Sequence, residues 1–117
     1  MQTTQQIYTR YGILEGEFEA GQEEEVFRQV QERLVPLWQK MPHAMEVRVM
    51  RSADCDPGAP SIALMVEIDY PSLAAIEEAV NSQNRVEART VSDDVFKAFK
   101  GRIYHLIQRR EAIVTLG

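Results

Sequence analysis

Residues 61–109 read SIALMVEIDY PSLAAIEEAV NSQNRVEART VSDDVFKAFK GRIYHLIQR, and this stretch decides the fold. Within 61–70, Ile62, Leu64, Val66, Ile68 and Tyr70 recur at every second position, the period of a half-buried strand. Pro71 stops that strand, and Ser72 stands where a helix N-cap belongs. Leu73, Ile76, Ala79 and Val80 come next at helical spacing until Asn81-Ser82-Gln83-Asn84 interrupts them. Residues 85–89 resume for a turn or two. Ser92 with Asp93 and Asp94 then reads as a fresh N-cap, opening a short helix that buries Val95, Phe96 and Phe99. Gly101 suits the left-handed position past its end. Residues 102–109 return as a strand.

Working outward, residues 45–51 (MEVRVMR) alternate cleanly, with Met45, Val47 and Val49 on one face and Glu46, Arg48 and Met50 on the other. The Asp56-Pro57-Gly58 turn signal joins this strand to the next as a long-looped hairpin. Residues 22–41 are helical by period: Val26, Val30, Leu34 and Leu37 form a stripe that Phe27, Trp38 and Met41 widen. Glu23, Glu24 and Glu25 lie in the first turn, where the helix dipole favours carboxylates. Pro36 interrupts this pattern, so either the helix bends or a shorter second piece begins there. Residues 7–18 (IYTRYGILEGEF) are a first strand, in which Gly12 and Gly16 mark a bulge or a close approach by another group.

The bulk properties fit one soluble domain over residues 1–117. Hydrophobic residues make up 44% and charged residues 26% of the 117, which excludes a mainly disordered chain. The net charge of −5 argues against a nucleic-acid partner. No apolar run is long enough for a membrane span, and the opening MQTTQQ lacks the basic start and apolar run of a signal peptide. A cytoplasmic protein with no membrane association is expected. Cys55 is the only cysteine, which excludes an internal disulfide.

The order β-α-β-β-α-β is the ferredoxin-like α+β arrangement, a four-stranded antiparallel sheet with helices on one face. Two strands carry apolar side chains on both sides: Ala63 and Met65 back the row of 61–70, and Tyr104 and Leu106 back Ile103, His105 and Ile107. A second sheet from an identical subunit, packed on the open face, would cover them. The tail, 110–117, holds Ile113, Val114 and Leu116 and is too apolar for a simple frayed end.

The element order, the length, and the wording AAIEEAVNS at 74–82, Arg85, and FKGRIYH at 99–105 resemble the dimeric α/β-barrel superfamily, in which two ferredoxin-like subunits join their sheets. Within it the chain is most similar to EthD-type and stress-responsive members. EthD-like chains carry His-x-Pro-Leu in the first helix and Pro-Gly before the second strand. Here the corresponding residues are Leu34-Val35-Pro36-Leu37 and Pro42-His43. The resemblance accounts for Pro36. The motif's histidine is Leu34 here and its glycine is His43, so the resemblance does not carry over an activity resting on that histidine.

Among candidates for chemistry, His105 stands first. It lies mid-strand between Ile103 and Ile107, and an imidazole of ordinary pKa serves as acid or base. The other account is a core histidine held by one hydrogen bond. Tyr8, Tyr11 and Tyr104 offer an apolar body with a polar tip for the same cavity, or they belong to the core. Arg10 and Arg48 lie on strands, where a buried guanidinium needs a partner such as Glu67 or a ligand's acid group; the other account is a solvent-facing or interface ion pair. His43, in the turn after the first helix, reads as a surface residue. Asp54 and Asp56 blunt Cys55 as a nucleophile and lack the further oxygen ligands of a calcium site. No metal and no cofactor is expected. The resemblance implies a pocket between sheet and helices for an apolar or aromatic small molecule, with cofactor-free oxygenation, cyclisation or isomerisation if it is catalytic. His105 would then act as catalytic proton shuttle, and Tyr8, Tyr11, Arg48 and Tyr104 would bind the ligand. The alternative is a structural or regulatory dimer whose pocket is filled by its own side chains.

Overall fold

Strands β1 (Tyr8–Phe18) and β3 (Ile62–Tyr70) form the middle of an antiparallel sheet in the computed structural model, which describes residues 6–117. Most of the opening MQTTQQ lies outside the described residues. With β2 (Glu46–Arg51) and β4 (Phe99–Arg109) the sheet order is β2-β3-β1-β4, the ferredoxin-like topology expected from the order of elements. Strand β4 is therefore an edge strand.

The helices are α1 (Glu23–Gln29), α2 (Val35–Gln39), α3 (Leu73–Val80) and α4 (Gln83–Val95). They cover one face only, as strand parity requires. Leu14, Leu64, Val66, Ile68 and Tyr70 share that face through the β1–β3 register, and they form one core with Val30, Leu34 and Ile76. Burying a side chain such as Leu34 or Leu64 completely contributes roughly 1.5–3 kcal/mol.

Pro36 is accommodated by neither a simple bend nor a clean restart. A π-helical turn, Val30–Leu34, links α1 to α2, and the Val35 amide donates to the Val30 carbonyl five residues back. Pro36 then falls at the start of α2, where its missing N–H is tolerated. Ser72 caps α3 as expected, its hydroxyl accepting from the Ala75 amide at 3.0 Å.

The second half of the helical region differs from expectation. Ser82, not Ser92, is the N-cap, and α4 runs unbroken from Gln83 to Val95. Ser92 lies inside it, while Asp94 pairs with Arg33 at 2.7 Å. Gly101 is not a helix terminator but a residue of β4. It stands directly opposite Gly16, with φ of 152° against 147°. A β-carbon on Gly16 would lie 2.2 Å from the Lys100 carbonyl oxygen, and one on Gly101 would lie 2.1 Å from that of Glu15. Of the two readings of Gly16, the close approach is this facing pair, and the β1–β3 register shifts between Leu14 and Glu15. The tail after β4 has no regular structure, and Ile113, Val114 and Leu116 are exposed.

Candidate functional site

Even-numbered residues of β1 point toward the helices. Arg10, Gly12 and Leu14 are consecutive on that face, and the β1–β4 register sets Ile107, His105 and Ile103 opposite them in turn. Because β4 is the edge strand, the helices do not close over this part of the sheet. Helix α4 stands across the gap and presents Arg85, Ala88, Arg89 and Ser92, which recur at helical spacing on one face. Between them lies a cavity of about 450 Å³. Its apolar wall includes Leu14, Trp38, Val66 and Phe96; its polar groups are Arg10, Arg85, Arg89, Ser92, Asp93 and His105. The size and the mix of an apolar lining with a few convergent polar groups are those of a small-molecule site. A second hollow of about 500 Å³ lies on the α3 side, and His105 and Arg10 also line that one.

The His105 ring lies over Gly12, where a β-carbon would meet Cδ2 and Nε2 at 3.5 Å, an ordinary contact. The register is regular at Gly12 and a β-carbon would fit there, so neither reading of that glycine, bulge or close approach, holds. Among the described residues His105 has no protein hydrogen-bond partner, so it is not a core histidine held by one bond. Its outer side is exposed. On the pocket side, desolvation, followed by the positive charges of Arg10, Arg85 and Arg89, pushes the imidazole down to about 4. The ring is neutral at physiological pH and offers an acceptor nitrogen.

This shift has a sign. The unfolded chain titrates near the ordinary histidine value of ~6.5 and binds more protons there than the folded chain does. Stability contributed by neutral His105 is complete above that value and falls as pH drops from about 6.5 toward about 4. Urea midpoints across that range should therefore decline less steeply for His105→Gln than for the parent. Parallel curves would show that His105 is not desolvated.

Desolvation and the neighbouring Arg85 lower Arg10, while desolvation and Arg89 lower Arg85. Desolvation raises the Tyr70 hydroxyl, with the charges of Arg10 and Arg85 opposing it. The Nε of Arg85 is buried and bonded to nothing. An unpartnered buried donor is unfavourable, which makes this the least satisfied point in the site.

Of the side chains read from sequence, His105 and Arg10 come together; the rest do not. Tyr11 and Tyr104 lie on the opposite face of the sheet, and Tyr104 donates to Glu15 at 3.0 Å. Arg48 is also on that face and is fully engaged: Nε reaches Glu67 at 2.8 Å and both terminal nitrogens reach Asp69 at 2.8 Å. Tyr8 shares the helix-side face but sits near the strand's end, its hydroxyl donating to Gln6 at 3.1 Å. None of these four lines the cavity. Arg85 and Arg89 were missed as site residues. His43 is exposed, with φ of 66° at the position where the EthD-like motif has glycine, and its ring meets Glu78. Cys55 is exposed in the β2–β3 loop.

No family model matches the sequence, and no curated protein does. Solved structures do match by shape. An EthD family protein from Bacillus halodurans superposes with a TM-score of 0.66 at 16% identity, over 87% of this chain and 96% of its own. A monooxygenase of Streptomyces coelicolor, solved with nanaomycin D, gives 0.68 at 8% identity over 94% of this chain and 92% of its own. A dimeric protein of unknown function with a ferredoxin-like fold, from Bacteroides fragilis, gives 0.62 at 10% identity over 87% and 94%. The chain has the ferredoxin-like α+β fold that these proteins share.

Proposed function

We propose that this protein is a homodimer that binds an apolar or aromatic small molecule between β1, β4 and α4, with His105 as the acceptor that orients it. The observation that carries this reading is the unfilled cavity in which Arg85 and His105 lack protein partners. A pocket filled by the protein's own side chains would have satisfied both. Held at about 4, His105 is a weak base, so its part in this reading is to accept a hydrogen bond from the ligand; a proton-transfer role in cofactor-free isomerisation or oxygenation would require a bound anion to raise it. The dimer rests on the sheet's open face, where Met50 and Leu106 are exposed beside Tyr104 and Ile13, and on shape neighbours described as dimeric.

Native mass spectrometry of the protein purified from its own host tests both parts. The expected species is two chains plus a small adduct, with His105→Ala keeping the dimer and losing the adduct. A monomer would remove the dimer from the proposal. A bare dimer, unchanged after incubation with 2-naphthoate and with 2-naphthylmethanol, would remove the ligand.

A further inference from the structure

The cavity holds positive charge that the protein itself does not neutralise. Seven of the chain's ten arginines are paired with a carboxylate, at distances up to 3.5 Å. The three with no such partner among the described residues are Arg10, Arg85 and Arg89, and all three line the same cavity. Chance does not favour this in a chain with 18 acidic residues and a net charge of −5. Among the described residues Asp93 is the only carboxylate on the cavity wall; its charge acts on Arg85, but it lies beyond ion-pair distance of all three. The three arginines are brought together by two elements, β1 and α4, and the strand end places the Tyr70 hydroxyl near two of them. Like charges held together at a partly desolvated site are unfavourable unless a counter-charge arrives.

We infer that the ligand is an anion: an apolar or aromatic body seated against Trp38, Leu14 and Phe96, carrying a carboxylate or similar oxyanion that Arg10, Arg85 and Arg89 receive. Guanidinium forks suit such a group because they donate two parallel hydrogen bonds to it. The free Nε of Arg85 is a donor waiting for one of them. This assignment rests on the small-molecule reading above and narrows it to a ligand class.

Two probes of the same size separate the two ideas: 2-naphthoate, which is charged, and 2-naphthylmethanol, which is not. Calorimetric titration should find the carboxylate binding about tenfold tighter or more, the worth of a charge-assisted hydrogen bond. The preference should shrink as salt rises, and Arg85→Gln or Arg89→Gln should abolish most of it while leaving the alcohol's affinity within about twofold. Equal affinities, or a preference that survives both variants, overturn the anion and leave the pocket standing. Binding of neither probe at millimolar concentration overturns the pocket and the anion together. A second measurement needs no probe. Arg85→Met keeps the aliphatic stem and removes the unpartnered charge, so the ligand-free protein should melt several degrees higher. An unchanged or lower Tm would mean that Arg85 already has a partner, and would overturn the inference.

Discussion

Gly101→Ala is expected to destabilise the protein by about 2–6 kcal/mol, and Gly16→Ala by a similar amount. Two contributions add. At φ of 152° and 147° these positions hold a backbone conformation that costs a residue with a β-carbon about 1–3 kcal/mol. The added methyl would also sit within 2.2 Å of a carbonyl oxygen on the facing strand, and overpacking of that kind costs about 1–3 kcal/mol more. Backbone cannot move aside as a flexible side chain can. The only relief is to part β1 from β4, which unseats His105. Gly12→Ala is the control. Its methyl meets the His105 ring at 3.5 Å and should cost under ~1 kcal/mol, a loss of backbone freedom compensating in part. Urea unfolding of the three variants checks this. If Gly101→Ala and Gly12→Ala lose similar stability, the crossing of the two glycines is not the constraint described.

Asp69→Ala should cost about 3 kcal/mol, the lower end of the range for removing one partner of a buried ion pair. Asp69 is buried on the open face of the sheet. It accepts from Thr9 at 2.6 Å, receives Arg48 on both oxygens at 2.8 Å, and has Arg110 at 3.5 Å. Removing it leaves the Thr9 hydroxyl unpaired and strips Arg48 of its bidentate partner. Arg48 retains Glu67 and Glu46, which is why the lower figure applies. The matched variant Glu46→Ala, at an exposed carboxylate of the same cluster, should cost under ~1 kcal/mol. Equal losses at constant protein concentration would rule out a buried network centred on Asp69. Hydrogen bonds from Arg48, foremost, hold the Asp69 carboxyl below its usual range. Its contribution is therefore complete above the unfolded value of about 4 and is lost as pH falls through the lowered one. This acid limb lies below the window in which His105 acts, so the two can be separated by titration.

The sheet was legible because its side-chain period is two, and a period of two survives almost any local disturbance. Strands β2 and β3 begin and end within a residue of where alternation placed them, and β1 within a residue of where its β-branched and aromatic content did. The helices were harder. Ser92-Asp93-Asp94 has the composition of an N-cap, and composition cannot tell a cap from three polar residues on a solvated face. Ser82 had already started the helix ten residues before.

That single boundary error hid the site. With a break placed between Arg89 and Ser92, the row Arg85, Ala88, Arg89, Ser92 does not exist as a face, and two of the three cavity arginines go unnoticed. Alternation itself could have corrected another reading. Tyr104 and His105 are neighbours on one strand, as are Arg10 and Tyr11, so neither pair can share a cavity. What no pattern in the sequence reveals is register: that Gly12 falls opposite His105, and that Gly16 falls opposite Gly101, is decided by how two strands near opposite ends of the chain slide past each other.

The π-helical turn at Val30–Leu34 has a consequence best counted as rotation. An α-helix advances about 100° per residue, and a π turn takes up an extra residue without passing that rotation on. Every residue past Leu34 is re-clocked against those before the turn. Val26 and Val30 aim into the core from one side of this offset, and Trp38 reaches the cavity wall from the other. The place of the indole in the site is thus set by the helix's phase, an indexing property of the backbone, as much as by the identity of the side chain.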